Sequence, residues 1–308
     1  MNQILILYEG HQNDWTINEW KRNGLNVAIQ FKRMYKAMRA IRRLWIRKQL
    51  PMEQIWYKNW NSEVKNADLI ILHISSLNMH LASYLNTINP KARIIAWYWN
   101  IVEENTLPSK LKGKCELWSF DSEDCKKYGM SFNHQYYFKS LVLPNTAISY
   151  DVYFVGNDFK RRDRVLNAYQ QLKALNLRVY FQVVRVEEGE LPKEVASSRV
   201  SYNDIRQNIA KSKAILEIVR EGQRGATLRV LEAMLFQKKL ITENKDVMKE
   251  EFFDPDRIFV LGERNVEEIP AFLGKTFKSY NQETIDRYDV KQWIDNFRSR
   301  QRRRIREP

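Results

Sequence analysis

Residues 214–244 read AILEIVREGQRGATLRVLEAMLFQKKLITEN, and the order of residue types in this stretch decides the fold. An apolar run, a polar glycine-bearing turn, an amphipathic stretch of helical period and a second apolar run form one strand, turn, helix, strand unit of a parallel α/β sheet. Gly225 permits a close backbone approach at the turn. The amides of residues 226–228, beginning with Ala226, open the helix without intrahelical partners. A helix N-terminus of this kind attracts phosphate. Thr227 is placed to cap the helix and to offer a hydroxyl, and Arg229 adds a charged fork suited to a diphosphate. Glu232, about one turn further on, could accept hydrogen bonds from ribose hydroxyls. The same residues also describe a capped core helix with Arg229 and Glu232 in solvent, and chemistry alone leaves both readings open.

The same alternation extends outward in both directions. Short apolar runs at 3–8, 25–29, 68–75, 93–99 and 116–120 read as strands of one sheet, and runs at 151–155, 178–184, 213–218, 239–242 and 258–261 as strands of a second. Helical patterns lie at 161–175, 202–210 and 227–236. A chain of 308 residues exceeds one ordinary domain. The expected organisation is therefore an N-terminal domain over 1–146 and a C-terminal domain over 147–308, joined near Pro144, with the C-terminal helix packing back and a basic tail following it. Open parallel sheets bind ligands at the carboxyl ends of their strands. Two such domains facing each other across a cleft would present residues 9–14, Ser75, Ser76, Asn100 and Asp121 from one side, and residues 156–162 and 221–229 from the other.

Composition sets limits on class. Hydrophobic residues make up 44% of the chain and charged residues 29%, which is globular and not disordered. Lys plus Arg number 51 against 37 Asp plus Glu, a net charge of +14, so an anionic partner is expected. The two cysteines, Cys115 and Cys125, read as reduced thiols, and no His or Cys cluster has metal-ligand spacing. The opening MNQILILYEG lacks a basic region before its apolar run and reads as a first strand, not a signal peptide. No apolar run approaches the roughly 18 residues of a membrane span. The expectation is a cytoplasmic protein, peripheral at most on the inner membrane face.

The 214–244 segment resembles the donor-binding region of bacterial GT-B glycosyltransferases, in particular the CgeB-like group and the enzymes of polysaccharide and lipopolysaccharide biosynthesis. The residues carrying the likeness are Gln223, Gly225, Thr227, Arg229, Glu232 and Ala233, then KKLITEN at 238–244. Three further stretches resemble the same group in the same order: RIIAWYWN at 93–100, ELWSFDSEDCKKYG at 116–129 and DVYFVGNDFKRRD at 151–163. The resemblance implies a GT-B-like fold of two Rossmann-type domains and a nucleotide-diphosphate sugar as donor substrate, with no cofactor. Leaving-group stabilisation by helix dipoles and cations in place of a metal is implied as well. The acceptor implied is a surface glycan: lipopolysaccharide, capsule or a lipid-linked oligosaccharide. It makes Gly156 and Arg161 a second donor-binding point. It also places an acceptor-side base after the first strand, where His11 and Asp14 stand. The sequence departs from many retaining members at Arg224, where they carry Glu, so the stereochemical outcome does not carry over.

Asp121 ends a strand and reads as the cap of the next helix more readily than as a metal ligand. His73, His80 and His134 read as structural. Residues 31–48, FKRMYKAMRAIRRLWIRK, hold eight Lys or Arg and no acid. At helical spacing Phe31, Met34, Tyr35, Met38, Ile41 and Trp45 share one sector, expected to face the domain, and the basic face then either meets anionic lipid or is simply solvated. The tail at 298–306 adds further arginines to that membrane contact. A nucleic-acid-binding protein is the rival reading, disfavoured because no base-reading motif accompanies the charge. A nucleotide-sugar epimerase is a third, weakened by the absence of a glycine-rich fingerprint after the first strand.

Overall fold

The computed structural model describes residues 3–10 and 14–304, excepting the side chains of 300–304. It divides into two compact units, residues 1–133 and 134–308. The first unit carries a six-stranded parallel sheet of β1 (Ile4–Tyr8), β2 (Asn26–Ile29), β3 (Leu69–His73), β4 (Arg93–Tyr98), β5 (Glu116–Ser119) and β6 (Ser131–Phe132). Their spatial order is β2-β1-β3-β4-β5-β6. β1, β3 and β4 are almost continuously apolar and buried, as a sheet covered on both faces requires. Leu5, Leu7, Ile70, Leu72, Ile94 and Ala96 form the centre of its core.

The second unit repeats the plan with β7 (Tyr150–Asn157), β8 (Val179–Val184), β9 (Ala196–Ser197), β10 (Ser212–Glu217), β11 (Lys239–Thr242) and β12 (Ile258–Val260). Its order is β12-β11-β10-β7-β8-β9, every pair parallel. Counted from β7, this is the 3-2-1-4-5-6 order of a Rossmann sheet, and the strand order reverses between β7 and β10. In the first unit it reverses between β1 and β3. The sequence runs 239–242 and 202–210 coincide with β11 and with the helix Tyr202–Ala210. The short edge strands β6 and β9 have two residues each, too few for an alternation to show.

Two expectations need correction. The unit boundary lies at Asn133/His134 and not near residue 146. The reason is that the 134–142 stretch is built into the second unit: the Tyr137 amide donates to the Tyr288 carbonyl at 2.9 Å and the Val290 amide returns the bond to Tyr137 at 2.9 Å. The Tyr136 ring lies 4.1 Å from Trp293. The C-terminal helix Val290–Arg304 thus packs on residues that the sequence reading had given to the first domain.

The basic segment 31–48 also differs. Its helix covers only Lys36–Arg47, and it buries Arg42 and Ile46. Phe31 precedes it, paired with Tyr57 in an isolated antiparallel bridge. Tyr35, Met38 and Ile41, expected inward, are 88%, 39% and 47% exposed. Arg42 takes the inward position because its guanidinium lies over the Phe31 ring, 4.5 Å from the centroid. Of the tail at 298–306, residues 305 and 306 lie outside the described residues, and Arg298 pairs with Asp295 at 3.1 Å.

Candidate functional site

The second unit's strand-order reversal is occupied by one arginine. Arg161 precedes the helix Arg162–Ala174. Its side chain donates from Nε to the Asn157 carbonyl at the end of β7, 2.9 Å away, and from Nη1 to the Ile218 carbonyl just beyond β10. The guanidinium therefore bridges the two strands between which the order reverses. Gly156 makes room for it, since a Cβ there would stand 2.7 Å from Arg161 Nη2. The predicted pair Gly156 and Arg161 is thus one contact. Burial, then Arg220 and Arg229 nearby, push the Arg161 pKa down to about 10. Among the described residues no salt bridge joins Arg161 or Arg220 to a carboxylate, although Glu217 lies near enough to favour the charge on Arg161, so positive charge accumulates here with little direct pairing.

The turn after β10 follows from its residues. The Gln223 amide donates to the Arg220 carbonyl at 3.0 Å, and its side chain closes the same turn. Gly225 has φ +71°, in the left-handed region that side chains other than glycine enter at a cost. Its carbonyl accepts from Asn244 Nδ2 at 2.9 Å. Ala226 is buried. Thr227 caps the helix Leu228–Leu235, its Oγ1 accepting from the Arg229 amide at 3.1 Å, as the sequence indicated. That hydroxyl donates in turn to Glu217, whose other oxygen receives Thr242 Oγ1 at 2.6 Å. Burial raises the Glu217 pKa.

Glu217 and Asn244 lock the turn, and the sequence reading passed over both. The available signal was an acid at the end of an otherwise apolar strand, AILEI, which has to be hydrogen-bonded if buried.

Arg229 and Glu232 differ from the expectation of a free fork and a ribose acceptor. Glu232 has no exposed surface. Arg229 Nη1 donates to its carboxylate, Tyr202 Oη to the same group at 3.1 Å, and Tyr137 Oη at 3.5 Å. Burial opposes the charge on Arg229, yet Glu232, Tyr202 and Tyr153 outweigh it and the pKa is raised. Glu232 therefore serves as the counter-ion that holds Arg229 in place.

In the first unit the reversal between β1 and β3 is held by Glu9, which accepts from Ser75 Oγ. Asp14 caps the helix Trp15–Arg22 through the Thr16 amide at 3.1 Å and accepts from Tyr8 Oη at 3.2 Å. His11 lies outside the described residues. Asn100 follows β4 and is exposed. Asp121 is buried and caps the helix Ser122–Tyr128, accepting from the amides of Glu123 and Asp124 at 3.0 and 2.9 Å. It is a structural cap, as its position after β5 suggested.

No protein-family model and no curated protein matches the chain. Solved structures do. The β-glucosyltransferase of T4 phage, solved with its UDP-glucose substrate, is 14% identical, and the alignment covers 96% of this chain and 98% of that one with a TM-score of 0.54. A DNA-modifying β-glucosyltransferase, solved with and without uridine diphosphoglucose, gives 15%, the same coverage and 0.54. Two parallel six-stranded sheets with interleaved helices, matched over nearly the full length of both chains, define the fold as that of the GT-B glycosyltransferases: two Rossmann-type domains.

Proposed function

We propose that this protein is a glycosyltransferase whose nucleotide-diphosphate sugar is held by the second unit, at the carboxyl ends of β7 and β10. The observation that carries the proposal is the cationic junction. Arg161 spans the strand-order reversal, Arg220 and Arg229 stand close enough to perturb it, and the capped N-terminus of the helix Leu228–Leu235 follows in the same turn. Preorganised cations and amides of this kind stabilise the negative charge that a departing diphosphate acquires. The acceptor hydroxyl oxygen would form the new bond to the anomeric carbon. The bond from that carbon to the phosphate oxygen would break, its electron pair leaving with the diphosphate, and the hydroxyl proton would pass to a base. His11 and Asp14 are the proposed bases. Because the cations supply the charge stabilisation, turnover should survive a chelator.

The proposed acceptor is a surface glycan or its lipid-linked precursor, reached at the inner face of the membrane. Among the described residues no helix is long and apolar enough to cross a bilayer. The helix Lys36–Arg47 instead carries exposed Met38, Ile41 and Leu44 beside Lys36, Arg43 and Arg47, a pattern suited to an anionic lipid interface.

Thermal shift against UDP, GDP, TDP, CDP and CMP sugars tests the donor reading. One nucleotide class should raise the melting temperature through preferential binding to the folded state. Arg161→Gln and Arg220→Gln, the second at a residue whose side chain makes no hydrogen bond among the described residues, should each abolish the shift. Equal shifts in both folded variants, or none with any nucleotide sugar, would sink the reading. Transfer assays with EDTA, and with a lipid-linked glycan set against a DNA oligonucleotide, test the metal and acceptor proposals.

A further inference from the structure

The first unit contains a cavity of about 490 Å³ beyond the carboxyl ends of β1 and β2, in the size range of small-molecule sites. Lys32, Arg33, Arg39, Arg42 and Lys58 line it, with Glu9 as the acid among them. Glu9 is engaged by Ser75 Oγ. Among the described residues none of the five cations is in a salt bridge.

Two of the five are more than surface charges. Arg42 is only 7% exposed, and its one side-chain hydrogen bond among the described residues, Nη1 to the Lys32 carbonyl, is long at 3.4 Å. The Nε atoms of both Arg39 and Arg42 are buried without a partner. A buried donor without an acceptor is costly; these two atoms lie inside the wall, and what bears on the cavity is the cationic lining itself. Burial, with Arg43 and Arg39 nearby, also lowers the Arg42 pKa. Glu9, the acid in the lining, partly offsets this, so folding has gathered five cations here around a single carboxylate.

We infer that this cavity binds a phosphate ester of a small polar group, with Arg39 and Arg42 donating to the phosphate oxygens and Lys32, Arg33 and Lys58 adding charge. Phosphate suits the arrangement because its several acceptor oxygens can serve two guanidinium forks and lysines together. The size of the cavity leaves room for the alcohol portion. The site belongs wholly to the first unit and does not depend on the donor reading. The phosphate ester can come from a lipid headgroup or from a soluble compound.

Calorimetry of the full chain with glycerol 3-phosphate, without any nucleotide sugar, is the test. Saturable one-to-one binding is expected, with no comparable heat from glycerol. Arg39→Gln and Lys58→Gln should each weaken it by about tenfold, the loss of one charged hydrogen bond or ion contact, while Arg220→Gln leaves it unchanged. Lys58 is exposed, so its variant keeps the test open if the Arg39 variant fails to fold. Phosphatidylglycerol vesicles that compete for the same residues support a lipid-borne group, and vesicles that fail to compete support a soluble one. Absence of saturable binding at millimolar ligand overturns the inference. Binding that Arg220→Gln removes and Lys58→Gln spares also overturns it.

Discussion

The two sheets are both six-stranded and parallel, with different strand orders, and they treat the place where strand order reverses in opposite ways. In the second unit a protein guanidinium already sits there, bonded to main-chain carbonyls from both sides. In the first, a carboxylate pinned by a serine marks the reversal, and the cations stand further out around an open cavity. The parallel sheet supplies a location, and a handful of loop residues decides what the location can bind. One unit presents a closed, rigid cationic junction. The other presents an open, cation-lined cavity.

The largest effect expected from breaking this contrast is at Glu232. Glu232→Ala would leave the half-buried Arg229 without its counter-ion and should cost up to about 3 kcal/mol, the low end for a broken buried pair, read as a lower midpoint in urea. Hydrogen exchange should place the loss in β10 and β11, with β1 and β3 spared. Equal loss in both sheets would show that the units do not respond separately.

Acid sharpens the contrast from the other side. Burial lowers the pKa of His73 to about 3 and of His80 to about 4, below the free value near 6.5. His80 lies against Glu53 at 2.9 Å and Tyr57 at 2.7 Å, and remains neutral there. Below pH 6.5 the unfolded first unit binds protons that the folded one refuses, so its stability falls as pH drops toward 4. The slope should approach about 1.4 kcal/mol per pH unit for each histidine. His80→Gln, which retains a hydrogen-bonding side chain, should reduce the slope of stability against pH in that window. An unchanged slope would count against the assignment.

A smaller effect is expected at the turn. Gly225→Ala forces a side chain into the left-handed region at about 1–2 kcal/mol. Because the Gly225 carbonyl is tied to Asn244, the variant should weaken nucleotide-sugar binding more than it lowers the melting temperature.

Much of this was legible in the residues. β11 and the helix Tyr202–Ala210 fall where the apolar runs and periodicity put them, because a strand buried on both faces and an amphipathic helix leave strong signals. The Thr227 and Asp121 caps were also readable, since each is a short polar side chain directly before a helical run. Three features were hidden for a shared reason, namely that each is settled by tertiary packing. Residues 134–142 carry no mark of belonging with Val290. Arg42 displaces an apolar neighbour from the inward face only because Phe31 is there to receive it. The closure of Glu232 by Arg229, Tyr202 and Tyr137 joins residues from three separate parts of the chain. Spacing could place Arg229 on its helix, but it could not show that its charge was already spoken for.

Arg161 has a consequence for kinetics. Two of its donors are committed to carbonyls before any ligand arrives, so its water shell was largely shed when the chain folded. An anion approaching the junction meets a group that is already dry and oriented, and little solvent or side-chain rearrangement need accompany capture. Association there should run near the encounter rate and respond to ionic strength. Release should report how well a given nucleotide fits.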